Sequence, residues 1–396
     1  MAYAPHPSLP TASLLSTYRD GLLENTLPFW LNHACDQQHG GFFGSLDERG
    51  QVIDTDKSIW QQGRFTWLLA ELANNLSPDP TWVQWAKSGA DFLDTHGFDP
   101  EDGRMFFQVT RDGIPLRKRR YSFSEAFAAI AYGELAQLFN DTNYRDKALA
   151  CFQTFQNHLA NPPGPAKFTN ARPTRGIGGA MITINIAQQL RESIKLESAN
   201  AIIDQAIAEI ETFHVHNDIE CVVETVSPEG KRIDHFDGRT LNPGHAIEAA
   251  WFIMWEGKVR QDSRLIELGC RMLDWMWERG WDQEFGGILY FTSLDEAPIQ
   301  EYWQDMKFWW PHNETIIATL LAAILTGDPK YVRWHQQVHD WSYQHFADPT
   351  NGEWFGYLRR DGAISNRLKG NLWKGPFHLP RMEWICWQML AELPAS

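Results

Sequence analysis

Five segments of the chain repeat one pattern: an aromatic-rich strand, a polar turn and a second short strand. They run from Gly41-Phe42-Phe43 to Asp47-Glu48-Arg49-Gly50, and from Arg104-Met105-Phe106-Phe107 to Arg111-Asp112-Gly113. The others run from Cys221-Val222-Val223 to Ser227-Pro228-Glu229-Gly230, from Gly287-Ile288-Leu289-Tyr290 to Asp295-Glu296, and from Glu353-Trp354-Phe355 to Arg360-Asp361-Gly362. Glycine at the turn supplies the positive φ that a tight hairpin needs. Turns end at 50, 113, 230, 296 and 362. Steps of about 60 residues, one of them doubled, mark six units of a repeat architecture with one hairpin missing. The missing hairpin falls near Pro162–Gly179, a Pro/Gly-rich stretch.

Helical periodicity fills the intervals. One set of apolar stripes follows the hairpins: Ser58–Leu72, Ser124–Leu138, Gly244–Met254, Asn313–Leu325 and Leu379–Leu390. A second set precedes them: Leu14–His33, Trp82–His96, Tyr144–His158, Ala199–Phe213, Arg264–Glu278 and Tyr331–Phe346. Six units of two helices predict an all-α (α/α)₆ barrel of about twelve helices, with short β-hairpins at one mouth. No linker interrupts the pattern, so residues 1–396 are expected to form one domain.

Composition narrows the partners. A net charge of −15 argues against nucleic acid and anionic membrane surfaces. No apolar run is long enough to span a bilayer, and Met1–Thr11 lacks the pattern of a secretory signal. Five scattered cysteines (Cys35, Cys151, Cys221, Cys270 and Cys386) form no CxxC pair, which suits a reducing cytoplasm. The 19 Trp and 23 Phe suit the flat C–H faces of sugars, and equally the filling of a large helical core.

In such a barrel the N-termini of the inner helices line the mouth. Polar residues there are the candidates: Arg64; Ser124 and Glu125; Arg172 in the hairpin-less loop; Asn242, His245 and Glu248; Trp309, Trp310, His312 and Glu314; Lys374, His378 and Arg381. His245 and Glu248 are three apart and share a helix face, where a carboxylate can hold the ring and raise its basicity. The pair also reads as a structural helix start. A metal site would want a second such helix pair, and none is present, so no catalytic metal is expected. His378, on the last inner helix, can face His245 across the ring.

Thr55-Asp56-Lys57 through Arg64, Asn242-Pro243-Gly244-His245 through Glu248, Trp309-Trp310-Pro311-His312 through Glu314, and Phe377-His378-Leu379-Pro380-Arg381 together resemble the N-acylglucosamine 2-epimerase (renin-binding protein) family over nearly the whole chain. The resemblance implies that His245 and His378 are an acid/base pair. It also implies that Arg64, Glu248 and Glu314 belong to the site; by their place at the mouth, Asn242, Trp310, Arg172 and Lys374 are expected as further substrate contacts. Family members interconvert N-acetylglucosamine and N-acetylmannosamine; relatives act on free aldoses, on cellobiose, or isomerise mannose to fructose. This chain carries Gly179-Ala180-Met181 where N-acetylhexosamine epimerases tend to carry Pro-Met.

The chemistry itself calls for no cofactor. Some family members use ATP as an activator, linked to the stretch corresponding to Gly40–Gly50, here also readable as the first hairpin. A small sugar is the expected partner, and a homodimer one expected assembly. Inverting C2 needs proton-transfer groups on both faces, which accounts for two histidines, with Arg64 to stabilise the enolate oxygen. An aldose–ketose isomerase would return the proton to C1 from one face. A glycoside hydrolase on the same barrel would need a carboxylate pair from Glu125, Glu248 and Glu314, and would leave the histidines without work. A non-catalytic binding protein would have no use for so furnished a mouth.

Overall fold

The computed structural model describes residues 8–118, 121–161 and 171–393. The first helix, α1, runs Thr11–Asp20, passes through a π-helical turn at Gly21–Thr26 and continues as Leu27–His33. Eleven more follow: α2 (Ile59–Asn75), α3 (Pro80–His96), α4 (Phe123–Phe139), α5 (Thr142–Ala160), α6 (Gly178–Ile194), α7 (Ala199–Phe213), α8 (Pro243–Arg260), α9 (Ser263–Gly280), α10 (Trp309–Thr326), α11 (Pro329–His345) and α12 (His378–Ala391). One extra helical turn lies at Phe236–Arg239. No helix among the described residues is long and apolar enough to cross a membrane.

Burial separates two concentric rings. The even-numbered helices are covered almost all round; every residue of α10 from Trp309 to Ile324 is buried. The odd-numbered helices bury a stripe, as in Leu265, Leu268, Met272 and Met276 of α9. A helix enclosed on all sides belongs inside, and a striped one outside. The inner ring closes where Trp384 of α12 donates from Nε1 to Glu71 of α2 at 3.0 Å and Phe377 packs on Trp67. The outer ring closes where the Tyr18 hydroxyl of α1 bonds His335 and His339 of α11 at 3.1 and 2.8 Å. This is the (α/α)₆ barrel expected.

Inner and outer helices join at the far end through tight turns. Asn140-Asp141, Gln261-Asp262 and Gly327-Asp328 each place a left-handed residue at the helix end and then an Asp whose carboxylate caps the next helix. The cap satisfies amides that a helix start leaves unpaired.

At the mouth, three hairpins form as read: Ser45–Leu46 with Val52–Asp54, Gln108–Val109 with Pro115–Arg117, and Tyr357–Leu358 with Ile364–Asn366. Two differ: Cys221–Val222 pairs back to Val215–His216, and Thr292–Ser293 pairs with Thr240–Leu241. The reason is a belt of pairing between units. The strand leading into an inner helix bonds to the next unit: Lys57–Ser58 to Gln108–Val109, Arg175–Gly176 to Thr225–Val226, Thr240–Leu241 to Thr292–Ser293, and Lys307–Phe308 to Tyr357–Leu358. Gly370 bridges to Leu46 and joins the last unit to the first. Of the loop expected over Pro162–Gly179, residues 162–170 lie outside the described residues, as do 1–7; its end forms a belt strand and the start of α6.

Buried lysines pin the belt. Lys57 reaches Asp36 at 2.9 Å and the Gly40 carbonyl at 2.7 Å, while Arg111 grips Asp36 with two bonds of 2.9 Å. Lys307, Asp282, Gly286 and Arg360 repeat this arrangement, and Lys369 does the same with Asp348 and Gly352. The turn glycines are needed twice over. Gly50, Gly113 and Gly362 have positive φ, and a side chain at each would collide with the imidazole of His33, His96 or His345 ending the outer helix before it.

Gly113→Ala should therefore cost about 2 kcal/mol, within the range for a strained backbone site, read as a shift in the urea midpoint; a change within error would show that the turn yields. A pH effect follows from the outer seam. Burial, with the His339 charge, pushes His335 down to about 3, and burial pushes His339 down to about 4. In the unfolded chain both titrate near 6.5. Below that pH the unfolded state binds protons that the folded state refuses, so stability is lost as pH falls from about 6.5 towards 4. The Tm should drop between about pH 7 and pH 5, and less steeply in His335→Asn; equal slopes would clear these histidines of the effect.

Candidate active site

The first turn of α8 is built to present His245. Asn242 caps the helix by accepting from the His245 amide at 3.1 Å, and Pro243 starts it. Gly244 leaves room for the Trp310 indole, which a side chain there would strike. The His245 ring donates from Nδ1 to Glu224 Oε1 at 3.0 Å, which turns Nε2 to the cavity. Glu224 is itself fixed, since its carbonyl accepts from the Ile177 amide at 3.1 Å and the belt strand Thr225–Val226 follows it.

His378 opens α12. Its Nδ1 donates to Glu314 Oε1 at 2.7 Å. Glu314, with no exposed surface, also accepts from Trp251 Nε1 at 2.8 Å and Arg381 Nη2 at 2.7 Å; the same Nη2 reaches Glu248 Oε1 at 2.7 Å. Arg64 of α2 is sandwiched differently. Its guanidinium lies 4.4 Å from the Trp60 ring, 4.0 Å from Phe127 and 4.4 Å from Phe377, without a carboxylate partner among the described residues. Its Nε has no hydrogen-bond partner there. Burial, then the Arg381 charge, lowers it to about 9.

Arg64, His245, Glu248, His378 and Arg381 line one cavity of about 780 Å³, within the usual range for small-molecule sites. Trp310 contacts both imidazoles, its ring centroid 5.2 Å from that of His245 and 5.9 Å from that of His378. Trp60, Tyr290, Trp303, Tyr357 and Trp373 form much of the remaining wall, with Asn185 and Met181 of α6 opposite. The histidines are pushed apart electrostatically. Burial lowers His378 well below the ordinary histidine value, and Arg381 and Arg64 add to this. For His245 burial also works downward, but the Glu224 charge and hydrogen bond, with Glu248, leave it raised. Two titratable groups driven in opposite senses are an acid and a base at one pH.

Arg64, His245, Glu248, Trp310 and His378 thus meet in the cavity, with Glu314 directly behind His378. Three other expected contacts do not meet there. Lys374 is buried away from the cavity lining, bonded to Glu353 Oε1 at 2.7 Å and the Lys369 carbonyl at 2.9 Å, because a buried ammonium needs every proton accepted. Asn242 spends its side chain as the α8 cap. Arg172 is exposed and off the cavity wall. Glu248 does not hold the His245 ring despite the shared face; it turns to Arg381, and Glu224 holds the ring instead. Glu224 was missed because it stands at a bend between two mouth strands, remote in sequence from His245; a lone carboxylate among Cys221, Val222, Val223 and Val226 was the available signal. Glu125 binds Arg104 and the Met105 amide, and His312 bridges the Ile288 amide and Phe308 carbonyl, so both are structural.

Glu248, Glu314 and His378 offer metal-ligand atoms within 4.8 Å of one another. The Arg381 guanidinium bonds both carboxylates, and so supplies the positive charge there. The Gly40–Gly50 stretch does not fit a phosphate cradle. The Gly40, Gly41, Phe42 and Phe43 amides already bond Asp36 O, Ser88 Oγ, Gln62 Oε1 and Ala34 O.

A double helical ring holding two carboxylate-backed imidazoles and a free guanidinium defines an (α/α)₆-barrel enzyme of acid–base chemistry. The N-acylglucosamine 2-epimerase (GlcNAc 2-epimerase) family model matches residues 41–378, and the chain belongs to that family. It is 35% identical over 380 residues to the N-acylglucosamine 2-epimerase of Bos taurus, covering 94% of this chain and 90% of that one. It is 22% identical to the cellobiose 2-epimerase of Eubacterium cellulosolvens, over 91% of this chain and 95% of the relative. The solved cellobiose 2-epimerase of Bacillus thermoamylovorans B4167 superposes with a TM-score of 0.82 at 18% identity, covering 96% of this chain and 99% of that one.

Glu314→Ala should destabilise the fold by about 3 kcal/mol, the scale for stripping one partner from a buried ion pair, measured by denaturant unfolding. A loss below about 1 kcal/mol would mean that the carboxylate does not anchor Arg381.

Proposed function

We propose that the protein is a sugar 2-epimerase, interconverting N-acetylglucosamine and N-acetylmannosamine or a related free aldose by proton transfer at C2. The observation that carries this reading is the pair of imidazoles that line one cavity and both contact Trp310, each with Nδ1 bound to a carboxylate so that Nε2 is left for the cavity. The C2–H of an open-chain aldose is a weak acid. His378, held neutral, takes that proton; the charge that forms moves to the carbonyl oxygen, where Arg64 is a cation with no carboxylate partner among the described residues. His245, held protonated, delivers a proton to the opposite face. The reverse direction exchanges the two roles. Every proton in this scheme moves between sugar and side chain.

The family relatives named for N-acylglucosamine support the acylated substrate. The hydrolase reading lacks a free carboxylate pair, since Glu125 is bound to Arg104 and Glu248 and Glu314 share Arg381. Unpaired cysteines suit a reducing compartment, and we propose the cytoplasm.

Incubation in heavy water with N-acetylglucosamine, N-acetylmannosamine, mannose and cellobiose tests the reading. Epimerisation should place deuterium at C2. His245→Asn and His378→Asn should each lose about 10²–10⁴-fold in kcat, and each should block exchange from the one epimer whose proton it removes. Deuterium at C1 with ketose formed would make the enzyme an isomerase; near-full activity in both variants would refute two-histidine catalysis.

A further inference from the structure

The two imidazoles are held alike, and their carboxylates keep different company. His245 donates from Nδ1 to Glu224, and His378 from Nδ1 to Glu314. Glu314 also accepts from Arg381 and Trp251, so its charge already has a counter-ion. Glu224 has no cationic partner other than His245 among the described residues. A carboxylate without another counter-ion stabilises an imidazolium beside it. One already matched to a guanidinium does so much less, and that guanidinium repels a second positive charge.

The other charged or titratable groups around His245 are few. Glu248 lies one turn along its own helix and is bound to Arg381 of α12. His378 shares the cavity and the contact with Trp310. Tyr290, on the wall near Glu224, is pushed up to about 12 by burial and so stays neutral. None of these replaces Glu224 as direct partner of the ring.

We propose, resting on the epimerase reading, that Glu224 is a positioning residue that keeps the resting proton of the histidine pair on His245, so that His378 is the group free to accept the first proton from the sugar. The active enzyme is then the form with one proton on the pair. Activity falls on the acid side as His378 protonates, and on the alkaline side as His245 loses its proton. Both epimers must show the same bell in kcat/KM, because the two placements of that one proton, which serve opposite directions, share a single protonation state of the pair. Glu224 sets only the alkaline limb. Its side chain is partly exposed and makes no ion pair beyond His245 among the described residues, so its replacement leaves the packing of the barrel in place.

The test compares the full-length wild type with Glu224→Gln and Glu224→Asp. Nitrogen-15 NMR should show the His245 ring titrating about one pH unit or more lower in Glu224→Gln, the scale of a lost charge partner. The alkaline limb of kcat/KM should move by the same amount, giving about a tenfold loss on the alkaline side of the bell and little on its acid side. The acid limb should stay, and Glu224→Asp should recover part of the shift. An unmoved His245 titration, or an equal loss at every pH with both limbs in place, would overturn the proposal and leave Glu224 a packing residue. The titration needs no sugar. A wild type that exchanges no C2 proton would sink the epimerase reading, while the His245 shift would still decide whether Glu224 controls that proton.

Discussion

One buried carboxylate ties chemistry to architecture. Glu314 of α10 binds Trp251 of α8 and both His378 and Arg381 of α12, and Arg381 returns to Glu248 of α8. Taking these charges out of water costs several kcal/mol per ion, recovered only when geometry and hydrogen bonding are complete. The three inner helices therefore cannot shift independently without leaving a charge stranded. Well-packed apolar residues could hold the same helices as firmly; what they could not do is orient an imidazole and surround it with positive charge.

The same address on successive inner helices serves different ends. In α8 and α12 the first turn carries His245 and His378 into the cavity. In α10 the corresponding turn sends Trp310 inward, while His312, two residues later, points to the outer layer and pins the Ile288 amide. In α4, Glu125 likewise faces a mouth strand and holds Arg104. A helix start fixes height along the barrel axis, and the 100° step per residue then decides whether a side chain meets substrate or scaffold.

This is also where sequence reading reached its boundary. The six-unit period, the turn glycines and the placement of inner helices after the mouth strands were legible because they rest on local chemistry: positive φ and apolar spacing. The pairing of Thr292–Ser293 with Thr240–Leu241 was not, since a strand of two residues carries no register signal of its own. The third inner helix, α6, opens on Gly178-Gly179, which reads as loop. In the site, both histidines, Arg64 and Glu248 followed from ring position and resemblance. Glu224 joins His245 only through a fold contact, and Lys374 was assigned to substrate because burial next to Glu353 cannot be seen from spacing.

The belt of short strands also bears on how the molecule behaves in a crowded solution. A cavity wall rich in Trp, Tyr and Phe surrounded by hairpins could expose sticky sheet edges. Here belt strands of two or three residues spend their backbone groups on the neighbouring unit, and Gly370 bridges back to Leu46 of the first unit. Little ladder is left long enough to template another chain. The barrel can keep its aromatic rim open to small solutes without inviting edge-to-edge assembly.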